Sequence, residues 1–280
     1  MTRSTPAEAD NMVVFPNCKI NLGLHILRKR MDGFHDLETI FYPLPLCDAL
    51  EIVHADELSF TVSGIDVPGN TDDNLCLKAY HLLKKDFPTL PPVHIHLHKH
   101  IPIGAGLGGG SSDAAFTLLL LNDKFKLGIS EPQLIAYAAI LGSDCAFFIK
   151  NKPCLATGRG EVLEEIDLDL NRYSFLVVHP GIHVNTGKAF GKITPGEPAQ
   201  QLRDLDLQSV HQWKDVLVND FEAVVFAEHP AIKAIKDKMY TSGAVYAAMS
   251  GSGSAVVGLF PKGQLPVIDW GAQYKVFEKQ

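Results

Sequence analysis

A glycine-rich segment at residues 104–110 constrains this chain more than any other feature. Five of its seven residues are glycine, and it runs directly into a helix-forming stretch at residues 111–122. Glycine lacks the Cβ that would keep a ligand away from the main chain, and it readily adopts positive φ. Such a backbone can turn successive N–H groups inward as an anion nest, and the following helix adds unpaired N–H groups. The segment therefore predicts a binding site for phosphate.

Two better-known phosphate loops fit this segment poorly. A Walker A loop ends in Gly-Lys-Ser/Thr, whereas Gly110 is followed by Ser111. The glycine spacing also satisfies the dinucleotide fingerprint, but the acidic residue at the right distance, Asp123, follows a helix rather than a second parallel strand. We therefore disfavour a P-loop enzyme, a nicotinamide or flavin enzyme, and a merely flexible linker.

Composition limits the class of partner. A chain of 280 residues, 46% hydrophobic and 20% charged, has room for two globular domains with a core. Its net charge of −7 argues against nonspecific nucleic-acid binding, which needs a basic footprint. No apolar run approaches the roughly 20 residues that span a bilayer. We expect small-molecule ligands, no nucleic acid and no membrane, in a monomer or homodimer.

The five cysteines are widely spread and include no Cys-x-x-Cys pair. This pattern is typical of free thiols in a reducing compartment. Residues 1–11 are polar and lack the charged-then-apolar order of a signal peptide. The expected location is therefore the cytoplasm, with residues 1–11 as a flexible tail.

Strands and helices mix without strict alternation, which predicts an α+β fold. A stretch rich in Lys, Pro and Gly at residues 151–160 suggests a domain junction, giving domains at 12–158 and 159–280. The predicted strands cover residues 13–27, 37–44, 49–54, 58–63, 93–98, 147–149, 175–179, 244–249 and 254–260. The predicted helices cover residues 74–85, 111–122, 131–141, 219–226 and 230–241.

Several polar residues have an ordinary structural interpretation when each is taken alone. Lys19 is first a solvated strand lysine, Asp144 a turn residue, and the segment from Asp32 to His35 a hairpin turn. Four histidines alternate along one strand, so they lie in a line on one face instead of converging on a metal ion. They are His94, His96, His98 and His100.

Taken together, the motifs carry more information. They are Lys-Ile-Asn-Leu from residue 19, Asp-Gly-Phe-His from 32, Gly-Leu-Gly-Gly-Gly-Ser-Ser-Asp-Ala-Ala from 106, Leu-Gly-Ser-Asp from 141 and Met-Ser-Gly-Ser-Gly from 249. This set closely resembles the GHMP kinase superfamily, from about residue 19 to about residue 260. The resemblance implies a two-domain α+β GHMP kinase fold with the active site in the cleft between the domains. It also implies a left-handed βαβ unit in the N-terminal domain and a ferredoxin-like C-terminal domain.

The resemblance implies that the glycine loop holds the phosphates of ATP and that Asn74 lies near the adenine. The implied loop residues are Pro102, Ile103, Gly104, Ala105, Gly106, Leu107, Gly108, Gly109, Gly110, Ser111 and Ser112. It further implies Asp144 as the general base paired with Lys19, and Asn21 as a substrate contact. Mg²⁺ is expected with ATP, with its protein ligands unassigned. The Ser250–Gly253 turn is expected to support the loop.

The Lys-Ile-Asn-Leu and Asp-Gly-Phe-His motifs point to one branch of the superfamily. The resemblance implies that Phe34, His35 and Phe190 bind a cytidine base, and that the acceptor is a cytidine diphosphate-linked methylerythritol of the non-mevalonate isoprenoid route. Phe34 departs from the commoner tyrosine but keeps the ring face. The alternatives are a homoserine or mevalonate type of kinase and a catalytically silent nucleotide-binding member.

Overall fold

A computed structural model describes residues 12–198 and 200–279. Its strands are β1 Met12–Val14, β2 Asn17–Lys29, β3 His35–Cys47, β4 Ala49–His54, β5 Ser59–Gly64, β6 Val93–Lys99, β7 Cys154–Thr157, β8 Val162–Glu165, β9 Tyr173–His179, β10 Tyr246–Met249, β11 Val256–Pro261 and β12 Lys275–Lys279. Its α-helices are α1 Leu75–Asp86, α2 Gly109–Lys124, α3 Glu131–Leu141, α4 Cys145–Lys150, α5 Thr186–Phe190, α6 Trp213–Val216, α7 Phe221–Glu228 and α8 Pro230–Thr241. Short 3₁₀ turns lie at Thr71–Asp73, Leu202–Asp204 and Val210–Gln212. The predicted tail at residues 1–11 lies outside the described residues.

Local signals place two helices where the sequence predicts them. Helix α3 begins after a capping box formed by Ser130 and Gln133, and α8 begins at Pro230 in its first turn. Capping side chains satisfy N–H groups that have no partner inside the helix, and proline has no N–H to satisfy there. Both helices match their predicted bounds, residues 131–141 and 230–241.

The strand predicted at residues 147–149 is wrong, because these residues belong to α4. The apolar run is buried throughout: Phe147 and Phe148 are completely inaccessible. A short apolar run buried on every side has no polar face to reveal its period, so helix and strand cannot be told apart from it.

The described residues form two compact units, each assembled from separate parts of the chain. The first contains the segment ending at Pro16, Cys47–Ile101 and Gly110–Ile149. The second contains Asn17–Leu46, Pro102–Gly109 and the segment that starts at Lys150. The sequence boundary between residues 158 and 159 remains a prediction.

The first unit is built on a four-stranded sheet with the order β1-β4-β6-β5. Strands β5 and β6 are parallel, and α1 connects them along the chain, so a βαβ unit is present as expected. On one face of this pair, His94, His96 and His98 alternate with Ser59, Thr61 and Ser63 in a ladder of hydrogen bonds of 2.8–3.1 Å. This confirms the polar strand face, with His100 just beyond the end of β6.

The second unit contains two sheets, β2-β3-β7-β8 and β12-β9-β11-β10. The latter is antiparallel throughout and has the strand order of a ferredoxin-like sheet. Helices α7 and α8 lie between its first two strands in the chain, whereas residues 262–274, all described, contain no helix. Apolar side chains of α8, including Ile232, Ile235 and Met239, pack with residues of this sheet in one hydrophobic core.

Strand β2 is buried on both faces, which the sequence did not predict. Its apolar residues alternate as expected, but Lys19, Asn21 and His25 on the other face are only 4%, 2% and 7% exposed. The solvated interpretation of Lys19 is therefore wrong. Among the described residues, no helix is both long and apolar enough to cross a membrane.

Candidate functional site

The glycine loop is held in place through its carbonyl oxygens. The carbonyls of Ala105, Gly106 and Leu107 accept hydrogen bonds from Ala255 N (3.0 Å), Ser250 Oγ (2.9 Å) and Lys19 N (2.9 Å). Three consecutive carbonyl groups of the loop are thus hydrogen-bonded to other parts of the second unit. These anchoring contacts use the carbonyl groups of the loop and not its amide groups.

Positive φ recurs at every second residue of the loop. Gly104, Gly106 and Gly108 have φ of 65°, 80° and 71°, while the side chains of Ala105 and Leu107 between them are buried. Alternating conformations of this kind form anion nests. The loop then enters α2, whose first turn contains the completely buried Ser112; its Oγ has no hydrogen-bond partner among the described residues.

Lys19 and Asn21 form a buried polar pair on β2. Lys19 Nζ donates a hydrogen bond to Asn21 Oδ1 at 2.6 Å and lies 4.8 Å from the centre of the Phe41 ring. Asn21 Nδ2 donates to Thr39 Oγ1 at 2.9 Å. These contacts define the position of the Lys19 ammonium group. The backbone N–H of the same residue bonds to the Leu107 carbonyl of the glycine loop.

The Ser250–Gly253 turn supports the loop, as expected. Ser250 is fully buried and lies between the loop and β2: it donates to the Gly106 carbonyl and accepts from Asn21 N at 3.3 Å. Asn219 also fixes the turn, because its Nδ2 donates hydrogen bonds to the carbonyls of Met249 and Gly251 at 2.7 and 2.8 Å. The motif thus connects strand β2 to the glycine loop.

A group of aromatic side chains also lies in the second unit. The rings of His35 and Phe190 are stacked, with centroids 4.9 Å apart and planes 20° apart, and Phe221 packs edge-on against Phe190 at 4.8 Å. Phe34 is 55% exposed, and the guanidinium of Arg159 lies 4.9 Å from its ring centre. The three predicted cytidine residues therefore offer one buttressed stack and one exposed ring. Arg159 carries no motif of its own and was not among the residues singled out from the sequence.

Asp144 belongs to the first unit and lies in the turn between α3 and α4. It is half-buried and directly precedes Cys145, the first residue of α4. Gly142 ends α3 with its N–H bonded to the Ala138 carbonyl at 3.1 Å. The turn that carries Asp144 is thus fixed by the ends of two helices.

Asn74, predicted near the adenine, caps a helix in the first unit. Its Oδ1 accepts a hydrogen bond from Cys76 N at 2.9 Å at the start of α1. The side-chain oxygen therefore already has a structural role. A contact with adenine remains a prediction.

The first unit also contains a buried group of three charged residues that the sequence prediction missed. Lys99 Nζ donates to Asp48 Oδ2 and, at 2.7 Å, to Asp113 Oδ2; all three residues are at most 4% exposed. Asp48 Oδ1 also accepts the N–H groups of His100 (2.5 Å) and Ile101 (2.8 Å). The group thus fixes the chain just before the glycine loop and the first turns of the helix that follows it.

The two carboxylates share a single ammonium, and the pKa of Asp113 is shifted in this setting. Burial raises the pKa of Asp113 to about 7, against the opposing effect of the Lys99 charge and with a further contribution from Asp48. Burial alone would lower the pKa of Lys99, but Asp113 and Asp48 outweigh it, so that pKa is raised. Asp113 Oδ1 has no hydrogen-bond partner among the described residues. Lys99 therefore stays charged, and Asp113 binds a proton more readily than an ordinary aspartate does.

Family comparisons match both halves of the chain. The family model described as GHMP kinases N terminal domain matches residues 74–152, and the one described as GHMP kinases C terminal matches residues 199–267. A 4-diphosphocytidyl-2-C-methyl-D-erythritol kinase from Bacteroides thetaiotaomicron is 53% identical over 272 residues, covering 95% of this chain and 99% of that protein.

Two solved kinase structures are similar to this chain. The crystal structure of a 4-(cytidine 5'-diphospho)-2C-methyl-D-erythritol kinase is similar with a TM-score of 0.76 and 32% identity, covering 89% of this chain and 90% of that one. A homoserine kinase from Cytophaga hutchinsonii has a TM-score of 0.69 at 13% identity, covering 100% and 97%, and so shares the fold. The chain belongs to the 4-diphosphocytidyl-2-C-methyl-D-erythritol kinase family of the GHMP kinases.

Proposed function

We propose that the protein transfers the γ-phosphoryl group of ATP to the 2-hydroxyl of 4-diphosphocytidyl-2-C-methyl-D-erythritol, giving the 2-phosphate and ADP. The observation that carries this proposal is the 53% identity to a kinase of that name over nearly its whole length. The reaction belongs to the non-mevalonate route to isoprenoid precursors. Five free cysteines suit an enzyme of the reducing cytoplasm.

The loop and the start of α2 are the proposed ATP-phosphate site. The alternating glycines supply a nest of amides, and the buried hydroxyl of Ser112 is suited to a phosphate oxygen. Amide groups that are already in place at a site of developing charge stabilise the transition state without reorganising. Positioning of this kind accounts for most of the catalysis in phosphoryl transfer.

Mg²⁺ is proposed to arrive with ATP, where it neutralises charge on the phosphate oxygens. Among the described residues there is no group of three or more His, Cys, Asp or Glu side chains that could hold a metal ion. Mg²⁺ at phosphoryl-transfer sites is held by substrate phosphates with one or two protein ligands, an arrangement that needs no such group.

Asp144 is the proposed general base. A carboxylate can accept the proton of the 2-hydroxyl as the phosphoryl group arrives, which contributes roughly 10²–10⁴ in rate. Lys19 is proposed to hold that carboxylate in its ionised form and to orient the hydroxyl. The 2.6 Å bond from Lys19 to Asn21 gives the ammonium the fixed position that this role needs. Asn21 is proposed to contact the acceptor from the same strand.

The aromatic group is the proposed cytidine site. Stacking on an aromatic ring contributes about 1–3 kcal/mol per base. Phe34 and Phe190 supply ring faces, and the His35 imidazole supplies hydrogen bonds to the edge of the base. The edge-on contact of Phe221 with Phe190 keeps that ring in place.

An ADP-release assay tests the proposal. The purified protein is incubated with ATP and Mg²⁺, separately with the cytidyl substrate, with homoserine, with mevalonate and without acceptor. We expect ADP only with the cytidyl substrate, accompanied by an acceptor heavier by one phosphoryl group. Turnover with homoserine or mevalonate alone would assign another kinase activity. No turnover with any acceptor, despite ATP binding, would identify a silent member of the fold.

A further inference from the structure

One imidazole, that of His183, lies directly against the phosphate loop and has no part in the mechanism above. A Cβ added to Gly104 would lie 2.9 Å from His183 Nδ1 and 3.3 Å from Cε1. Gly104 has φ of 65° and is exposed, as is His183. The missing side chain at Gly104 therefore allows the imidazole to approach the loop backbone while it remains open to a ligand.

The backbone next to His183 is held by a residue adjacent to one of the loop's anchors. Ser254 Oγ donates to the Ile182 carbonyl, and the next residue, Ala255, donates its N–H to Ala105 at 3.0 Å. On the other side of His183, Val184 is buried in the core of the second unit. The backbone is thus anchored on both sides of His183, whose imidazole lies at the first glycine of the loop.

The loop has a chemical use for this side chain. Residues 102–112 contain no charged side chain, so the loop itself offers phosphate only amide and hydroxyl donors. A neutral imidazole donates one hydrogen bond and an imidazolium donates two with a positive charge. Hydrogen bonds to charged groups are also the stronger ones.

We propose that His183 is a phosphate-binding residue that contacts a phosphate oxygen of the nucleotide held at the loop. The proposal rests on the proposed function, in which two ligands carry such oxygens: the triphosphate of ATP and the diphosphate of the cytidyl substrate. The chemistry recognised is the same in both.

The test measures dissociation constants of His183→Ala for ATP, adenosine, CDP and cytidine. A contact with ATP predicts a loss of roughly 10-fold or more in affinity for ATP, with adenosine unchanged. A contact with the acceptor predicts the same loss for CDP, with cytidine unchanged. His183→Lys, which retains a cation, should keep most of the affinity.

His211→Ala is the matched control, because His211 is another exposed histidine of the second unit. It should bind all four ligands as the unmodified protein does. If His183→Ala does the same, or loses the nucleosides as strongly as the nucleotides, the proposal is overturned. An unmodified protein that binds neither ATP nor CDP would instead refute the proposed function itself.

Discussion

Asp144 and Lys19 are candidates for catalytic residues because of the environment in which the fold places them. Lys19 is buried with a hydrogen-bond acceptor and an aromatic ring beside it, and Asp144 is half-buried at the junction of two helices. Placement matters because a general base works only within hydrogen-bond reach of the proton it accepts. The residue scale is therefore where the proposed chemistry is tested most directly.

Asp144→Asn should lower kcat by roughly 10²–10⁴-fold, because an amide cannot accept the hydroxyl proton. The dissociation constant for ATP should stay within about twofold, since the loop and α2 provide the phosphate donors. Steady-state ADP release and an ATP titration measure the two effects. Asp56→Asn, in an exposed turn of the same unit, should change neither. Undiminished turnover in Asp144→Asn would exclude the general-base role.

Phe190→Ala should raise KM for the cytidyl substrate roughly 5- to 150-fold, which corresponds to about 1–3 kcal/mol of base stacking. KM for ATP should not change. Phe226→Ala provides the control, because Phe226 packs against the same core as Phe190 without belonging to the aromatic stack. If both variants raise the two KM values equally, the effect reports loss of packing and not recognition of the base.

At the scale of elements, the loop and its support behave as one structure. Helices α3 and α8 could be read from the sequence because their start signals are local. The contacts of the loop could not, since Ser250 and Gly106 are 144 residues apart. The apolar run of α4 was mispredicted for a different reason: complete burial removes the polar face on which periodicity depends.

Gly106→Ala should weaken ATP binding by about 10-fold or more. The added Cβ would overlap the Ser250 carbonyl, and φ of 80° is unfavourable for an L-residue by about 1–2 kcal/mol. The loop would therefore move away from its support. ATP titration of the folded variant measures the change.

Gly263→Ala is the control for Gly106→Ala, because it introduces backbone strain without a steric overlap of the added Cβ. Gly263 has φ of 77°, but nothing lies within 4 Å of an added Cβ. This variant should lose a little stability and keep its affinity for ATP. Equal losses of ATP affinity in the two variants would contradict the role of the Ser250 contact.

At the scale of the whole molecule, the buried group of Lys99, Asp48 and Asp113 couples folding to pH. The pKa of Asp113 is about 7 in the folded protein, above its ordinary value of 3.8. Between these values the folded protein binds more protons than the unfolded chain. The contribution of Asp113 to the free energy of unfolding therefore falls as the pH rises through this window, and the loss is complete above about pH 7.

Asp113→Asn should consequently stabilise the protein more at pH 8 than at pH 5, because asparagine accepts a hydrogen bond from Lys99 without the excess buried charge. Urea unfolding at both pH values measures the difference. Asp123→Asn, at the exposed far end of α2, should show no such dependence. A stability difference between Asp113→Asn and the unmodified protein that is constant with pH would contradict the raised pKa.

The sequence by itself determined the features that depend on neighbouring residues: the glycine loop and the helix after it, the capped helices, and the motifs that carry the family resemblance. Only the tertiary structure decided which polar residues are buried and what they contact. Lys19 is enclosed because both faces of β2 are covered, and Lys99 because two aspartates from distant segments meet it. Periodicity reports the two faces of one element, whereas burial depends on what other parts of the chain pack against them. For that reason the glycine loop was visible in the sequence, whereas its anchor Ser250 and its neighbour His183 became visible only in the fold.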